Sequence, residues 1–187
     1  MLGWVQAGWR HKSTAMMSLV DSVPLDAEKL RRSLRGVCFI CEIVKGNPNF
    51  DHYVFYDDGT YIAFLDKYPM LVGHSLVAPQ AHLEQVTGDL SEEEYLALQR
   101  VVYRVGEALR RLLPTERLYI VSLGSQQGNR HVHWHVAPLP PGIPFEEQQY
   151  RALDRPVYLA IPEEDMKELA SKLASLLSQA RNDAPAG

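Results

Sequence analysis

The alternation of residue types from 131 to 136 constrains the fold more than any other feature of the sequence. Histidines stand at 131, 133 and 135, and valine, tryptophan and valine follow them in turn. Successive side chains of a β-strand point to opposite faces, so the segment predicts a half-buried strand with three imidazoles on one face. Neighbouring rings would stand about 6.6 Å apart, twice the strand rise, which suits several groups acting on one phosphate. A surface strand with solvated histidines is the alternative, but three of the chain's seven histidines fall within these five residues.

The bulk properties narrow the class of protein. The chain has 187 residues and a formal net charge of −4, and a non-specific nucleic-acid binder needs a basic footprint instead. No apolar run approaches the length of a membrane span, so no membrane partner is expected. The first twenty residues lack the continuous apolar core of a signal peptide. Two cysteines without an export signal predict a reducing compartment, the cytoplasm.

The order of predicted elements indicates an α+β fold in a single domain, residues 25–187, preceded by a loose extension, residues 1–24. Runs rich in β-formers predict strands at 53–56, 61–65, 74–78 and 118–123, with the histidine strand as the fifth. Ser91 and Glu94 form a capping-box pattern that opens a long amphipathic helix ending at Pro114. A last amphipathic helix is expected from 162 to about 179. We therefore expect a meander of about five antiparallel strands with helices outside it.

Several motifs in one order carry a resemblance to a known family. The segment HVHWHVA at 131–137 resembles the signature of the histidine triad (HIT) superfamily of nucleotide hydrolases and transferases. The stretches CFICEIVKG at 38–46, AFLD at 63–66 and GHSLVAPQAH at 73–82 resemble its other landmarks. The similarity extends from about residue 36 to residue 140. It implies the HIT fold, which is usually a homodimer that pairs two such sheets.

The middle histidine is the candidate nucleophile. Neutral imidazole is nucleophilic near pH 7, and attack by one ring nitrogen requires the other to keep its proton. In the HIT family the central histidine attacks the α-phosphorus, so the resemblance assigns this role to His133. The resemblance places His135 at the phosphate, where it would hold a non-bridging oxygen or protonate the leaving group. A purely structural His135 is the alternative.

The Cys38–Cys41 pair is a candidate metal site. A Cys-x-x-Cys turn presents two sulfurs to one metal ion, and zinc takes four ligands in a tetrahedron. The resemblance to zinc-containing, Hint-like members supplies His82 and His131 as the other ligands and makes the zinc structural. A redox dithiol and two ordinary buried thiols remain alternatives. A third alternative is a catalytic zinc held by all three triad histidines, which would leave the cysteines without a role.

Nucleotide recognition is expected from a third group of residues. Asp66 follows a strand, where its carboxylate would accept hydrogen bonds from both ribose hydroxyls, as the family's aspartate does; a turn-capping role is the alternative. The approach to the triad, residues 124–131, is about two residues shorter than the family's phosphate loop, on which leaving-group preference depends. The predicted nucleotide-binding residues are Ile40, Ile43, Phe64, Asp66, Ser122, Gln127, Gly128 and Asn129. Of these, Ile40, Ile43 and Phe64 would form an apolar slot for the base, and ordinary core positions are the alternative.

The resemblance predicts an enzyme that cleaves at the α-phosphate of a purine nucleotide conjugate. The substrate would be a phosphoramidate or a dinucleoside polyphosphate, and the intermediate a nucleotidyl-His133. Two other functions remain open. One is a hydrolase with a catalytic zinc on the three histidines, and the other is a nucleotide-binding module without turnover.

Overall fold

The computed structural model describes residues 20–26, 28–29, 32, 36–123, 130–153 and 157–182. Residues 1–19 of the predicted extension lie outside this range. The strands are β1 Ser22–Pro24, β2 Val54–Asp57, β3 Tyr61–Leu65, β4 Ser75–Pro79, β5 Arg117–Val121, β6 Trp134–Leu139 and β7 Val157–Leu159. The helices are α1 Phe39–Val44, α2 Glu92–Leu112, α3 Tyr150–Leu153 and α4 Glu163–Asn182, with 3-10 turns at Pro48–Phe50 and Phe145–Glu147.

The main sheet has five antiparallel strands in the order β2-β3-β4-β6-β5. The predicted α+β class and strand number are confirmed. The predicted meander is wrong in one respect, because β6 lies between β4 and β5 and not at the edge. This insertion places the triad strand near the middle of the sheet, where both of its neighbours fix its position.

One face of the sheet carries the main core. Helices α2 and α4 cover it, and the alternate residues Val77, Trp134 and Val136 point into this layer. The predicted capping box is present, since the Ser91 hydroxyl accepts the N–H of Glu94 and the Glu94 carboxylate accepts the N–H of Ser91. Helix α2 packs against β6, the strand that carries His135, whereas α4 packs against β2 and β3.

The opposite face carries the candidate site. Leu76 and His135 are partners in register on β4 and β6, so their side chains share this face. Helix α1 packs here through Ile40 and Ile43 against Phe64 and other residues of β3 and β4. The histidines thus lie beside a helix that covers only part of the sheet.

Two further sequence expectations differ from the structure, at the triad strand and at the N-terminal extension. The strand begins at Trp134, so His131 and His133 lie in the segment just before it and not within a strand from 131. Strand β1 falls inside the range assigned to the extension, and it pairs with β7 in a separate two-stranded sheet. The sequence did not predict β7, because only three residues follow strand periodicity there.

Candidate active site and metal centre

Four sulfur and nitrogen ligand atoms converge at the start of α1. Cys38 is the N-cap of α1 and Cys41 lies one turn later, so both thiols point to the same side. The sulfur of Cys41 is 3.2 Å from Nδ1 of His82 and 3.5 Å from Nδ1 of His131, and that of Cys38 is 3.4 Å from Nδ1 of His131. All four ligand atoms lie within 4.8 Å of one another. The sulfur–nitrogen distances match the roughly 3.5 Å expected between two ligands of one tetrahedral zinc ion.

The hydrogen bonds of the two histidines orient them as ligands. Nε2 of His131 lies 2.8 Å from the carbonyl oxygen of Pro79, so that nitrogen carries the proton and Nδ1 keeps its lone pair toward the sulfurs. Nε2 of His82 lies 3.4 Å from the Glu84 carboxylate, so here too Nε2 carries the proton and Nδ1 faces a cysteine sulfur. The residues present therefore fit a divalent metal that prefers sulfur and nitrogen.

Burial disfavours charge on these groups. It raises the pKa of the Cys38 thiol to about 11, with the neighbouring Cys41 also contributing. It lowers the pKa of His131 to about 4, so this ring is neutral near pH 7. A bound cation would reverse the balance at the thiols, because a coordinating thiol gives up its proton.

His133 is held with Nδ1 as a donor, and none of the described residues hydrogen-bonds to its Nε2. Its Nδ1 lies 2.6 Å from the carbonyl oxygen of His131, so the proton resides on Nδ1 and Nε2 carries the lone pair. The Ser122 hydroxyl donates to the carbonyl oxygen of His133 at 2.9 Å. Burial lowers the pKa of His133 below its usual 6.5, which keeps the ring unprotonated. The arrangement presents a neutral imidazole with a nucleophilic Nε2.

His135 forms a chain of polar groups with His74 and Asp66. Nδ1 of His135 lies 3.1 Å from Nε2 of His74, and Nδ1 of His74 lies 3.7 Å from the Asp66 carboxylate. Burial, with His74 and His133 close by, lowers the pKa of His135 to about 2. His74 is 5% exposed, and burial lowers its pKa although Asp66 acts in the opposite direction. These contacts connect His135, the partly exposed ring of the triad, to the Asp66 carboxylate through the buried ring of His74.

The sequence placed His74 in a family element without giving it a role. Its neighbour Gly73 has φ +80°, and a Cβ at that position would collide with the side chain of Leu113. This close approach sets the start of β4 so that His74 shares a face with Leu76 and His135. His74 and Leu76 are two residues apart and therefore point to one face of the sheet, and this alternation in the sequence could have linked His74 to the triad.

The predicted base slot has a buried floor. Ile40 and Phe64 are 0% exposed and Ile43 is 9% exposed, so they support the slot from beneath. Above them lie Phe39 and His52, which are both partly exposed. The sequence analysis selected neither residue, although Phe39 lies within the family landmark at 38–46; His52 lies outside all of the landmarks.

The other predicted nucleotide-binding residues are distributed as follows. One Asp66 carboxylate oxygen accepts the N–H of Tyr68 at 2.9 Å, which is the turn-capping role, while the other faces His74. Ser122 contacts the backbone of His133. Gln127, Gly128 and Asn129 lie outside the described residues.

The three triad histidines do not surround one point in the described part of the chain. Two clusters of described residues could hold a metal ion. One is Cys38, Cys41, His82 and His131, and the other is Asp66, His74 and His135. His131 directs Nδ1 to the cysteines, whereas His133 directs Nδ1 to a carbonyl oxygen. This division disfavours a catalytic zinc on all three rings.

Comparisons with known proteins identify the family. The model of the HIT domain matches residues 47–141. The chain belongs to the HIT family. Similar HIT proteins include an uncharacterized HIT-like protein of Saccharolobus solfataricus, 33% identical over 106 residues that span 54% of this chain and 73% of the relative. Another is an adenosine 5'-monophosphoramidase of Schizosaccharomyces pombe, 29% identical over 140 residues, or 74% of this chain and 96% of the relative.

Solved structures share the HIT fold. A Zn-bound histidine triad family protein from Mycobacterium smegmatis has a TM-score of 0.60 at 24% identity, covering 79% of this chain and 97% of its own. A hypothetical histidine triad nucleotide-binding protein from Sulfolobus tokodaii has a TM-score of 0.62 at 24% identity, covering 77% and 94%. At these identities the likeness concerns the fold alone. Within the described residues, no helix is both long and apolar enough to span a membrane.

Proposed function

We propose that this HIT protein is a nucleotide hydrolase or nucleotidyltransferase that cleaves at the α-phosphate of a purine nucleotide conjugate. The observation that carries the proposal is the 2.6 Å hydrogen bond from Nδ1 of His133 to the carbonyl oxygen of His131. It fixes the tautomer that an attacking imidazole needs. Placement of this ring in a buried site that favours its neutral form supports the same role.

The reaction would proceed in two displacements. The lone pair on Nε2 of His133 forms a bond to the α-phosphorus, and the bond from phosphorus to the leaving group breaks with its electron pair on that group. The leaving amine or phosphate takes up one proton, from a protonated His135 or from solvent, and the water that attacks in the second displacement gives one proton back. Water or another acceptor then attacks the same phosphorus and releases Nε2, so that the histidine returns to its starting state.

His135 would stabilise the charge that develops on the phosphoryl oxygens. Its Nε2 is the ring position opposite the contact with His74, and a donor there would hold a non-bridging oxygen. A bound phosphate favours the protonated ring, in opposition to burial, and the Asp66 carboxylate behind His74 supports that change. His74 would thus position the proton of His135 without contacting substrate.

We propose structural zinc at the Cys38, Cys41, His82 and His131 cluster. Four protein ligands leave no open position for water, so the ion would supply folding energy and fix the backbone of His131. The same backbone carbonyl accepts the Nδ1 proton of His133. The two thiols require reducing conditions to remain ligands, which fits the cytoplasm.

The proposed substrate class is supported by the position of Asp66 and by the activity of one relative. Asp66 is partly exposed beside the base slot, as a ribose-binding carboxylate requires. The Schizosaccharomyces pombe relative is an adenosine 5'-monophosphoramidase. Purified protein mixed with adenosine phosphoramidate and with diadenosine polyphosphates is expected to release AMP from at least one of them. Binding without release from any of them would favour the module without turnover.

The acid limb of the pH profile follows from His133. Burial lowers its pKa, so the neutral nucleophile persists to a lower pH than that of a free imidazole, whose pKa is about 6.5. We therefore expect kcat/KM to be flat near neutral pH and to fall only below pH 6.5. Steady-state rates from pH 4.5 to 8.5 measure this limb. A midpoint above 6.5 would contradict the assigned environment of His133.

A homodimer is proposed through the edge strand β5. Among the described residues this strand pairs only with β6; Ile120 on β5 is 44% exposed and Leu123, just after β5, is 53% exposed. An unpaired edge with apolar side chains favours pairing with a second copy. Light scattering is expected to give about twice the 21.2 kDa mass of one chain. A particle of single-chain mass at micromolar concentration would reject the dimer.

A further inference from the structure

His52 is the accessible aromatic ring above the base slot. Its ring stacks on Phe39 with a centroid separation of 6.0 Å and an interplanar angle of 21°. It also meets Phe64 edge to face, at 5.4 Å and 81°. Phe64 precedes Asp66 by two positions on the same face of the sheet. A base whose ribose is held by Asp66 would therefore lie next to the His52 ring.

The hydrogen bond of His52 fixes which nitrogen faces a ligand. Nδ1 lies 2.8 Å from the carbonyl oxygen of Phe50, so Nδ1 carries the proton and Nε2 is an acceptor. Burial lowers the pKa of His52, which keeps the ring neutral near pH 7. None of the described residues hydrogen-bonds to Nε2. The ring thus offers one unoccupied acceptor.

Open space borders the His52 ring. A cavity of about 420 Å³ is lined by His52 together with Lys67, Tyr68, Tyr158 and Met166, among others. Its volume falls within the roughly 300–1,000 Å³ of ligand pockets. Tyr158 and Met166 belong to the C-terminal segment, which lies beyond the residues matched by the HIT model. The cavity therefore borders His52 from the side of the C-terminal segment, and Phe39, Phe64 and Asp66 do not line it.

We propose that His52 selects the base of the substrate: its Nε2 accepts a hydrogen bond from the exocyclic amino group of adenine. The inference rests on the proposed function, because it concerns the base of the same nucleotide. A base without that donor leaves Nε2 unpaired in a partly buried site, and an unpaired acceptor is costly. His52 is therefore a specificity residue, distinct from the residues that contact the phosphate.

Two ligands that differ in one group test the proposal. AMP carries the 6-amino group, and purine riboside 5'-monophosphate has hydrogen in its place. Calorimetry is expected to give a Kd for AMP about tenfold lower than for the purine riboside nucleotide, the usual effect of one hydrogen bond. In His52→Phe the ring stack on Phe39 remains but the acceptor is lost, and the two Kd values are expected to agree within about twofold.

A second variant separates hydrogen bonding from stacking. Phe39→Leu removes the ring under His52 but leaves the acceptor, so both nucleotides should bind more weakly while their ratio stays near tenfold. Equal affinities in the unmodified protein, or an unchanged ratio in His52→Phe, would overturn the role of His52 and leave the proposed function standing. Failure of both nucleotides to bind would refute the proposed function, and the role of His52 with it.

Discussion

Replacement of His133 by asparagine is expected to lower kcat for an adenosine conjugate by on the order of 10⁴-fold or more, as for loss of other covalent nucleophiles. The asparagine amide can still donate to the carbonyl oxygen of His131, so the local hydrogen bond is kept while the attacking nitrogen is lost. Binding of AMP should therefore change little. Steady-state turnover and calorimetry on the same sample measure the two quantities.

The zinc content of His133→Asn distinguishes the mechanisms. If zinc is bound by the Cys38, Cys41, His82 and His131 cluster, elemental analysis should find the same metal per chain as in the unmodified protein. Loss of metal together with activity would support a catalytic zinc on the triad. Turnover within tenfold of the unmodified protein would reject His133 as the nucleophile.

Replacement of Cys41 by serine is expected to remove the zinc and to destabilise the whole domain. Cys41 contacts both histidines of the cluster, and the cluster joins α1 to the segments after β4 and before β6. Loss of a structural metal belongs to the largest single-residue effects, about 4 kcal/mol or more. For a chain of this length that corresponds to a drop in Tm of about 8–16 °C. Elemental analysis and thermal unfolding by circular dichroism measure both changes.

A matched control for Cys41→Ser is Glu84→Gln. This change alters the acceptor behind His82 but leaves all four ligands in place. It should weaken zinc binding by about 10–100-fold without emptying the site at excess metal. If Cys41→Ser were to lose activity with zinc content and Tm unchanged, the metal cluster would be the wrong assignment for this residue.

The sequence predicted the local parts of the fold well. The capping box of Ser91 and Glu94 depends on neighbours within a few residues, so one stretch contains the whole signal. The alternation at 131–136 predicted the strand in the same way, but the strand begins at Trp134 and not at residue 131. The order of strands does not depend on such neighbours. Insertion of β6 between β4 and β5 arises from packing between distant segments, and no periodicity records it.

The candidate site was predictable where a motif fixes it. Cys38 and Cys41 are adjacent through the helix turn, and the resemblance supplied His82 and His131, which the structure brings together with them. The proposed roles of His74 and His52 do not follow from the motifs, because each depends on a hydrogen bond or ring contact made across strands and turns, and only the alternation of side chains along the strand linked His74 to the triad. Burial of Ile40 and Phe64 is likewise a property of the packed core, which hides them beneath Phe39 and His52.

The covalent intermediate on His133 is the most direct test of the mechanism. Protein mixed briefly with adenosine phosphoramidate should be denatured at neutral or alkaline pH, since a phosphorus–nitrogen bond to histidine is lost in acid. Trypsin cleavage after Arg130 and Arg151 places all three triad histidines in one peptide, and fragmentation assigns any added mass. We expect one adenylyl group, on His133. An adenylyl group on another side chain, or rapid turnover with no labelled peptide at any time point, would contradict nucleophilic attack by this ring.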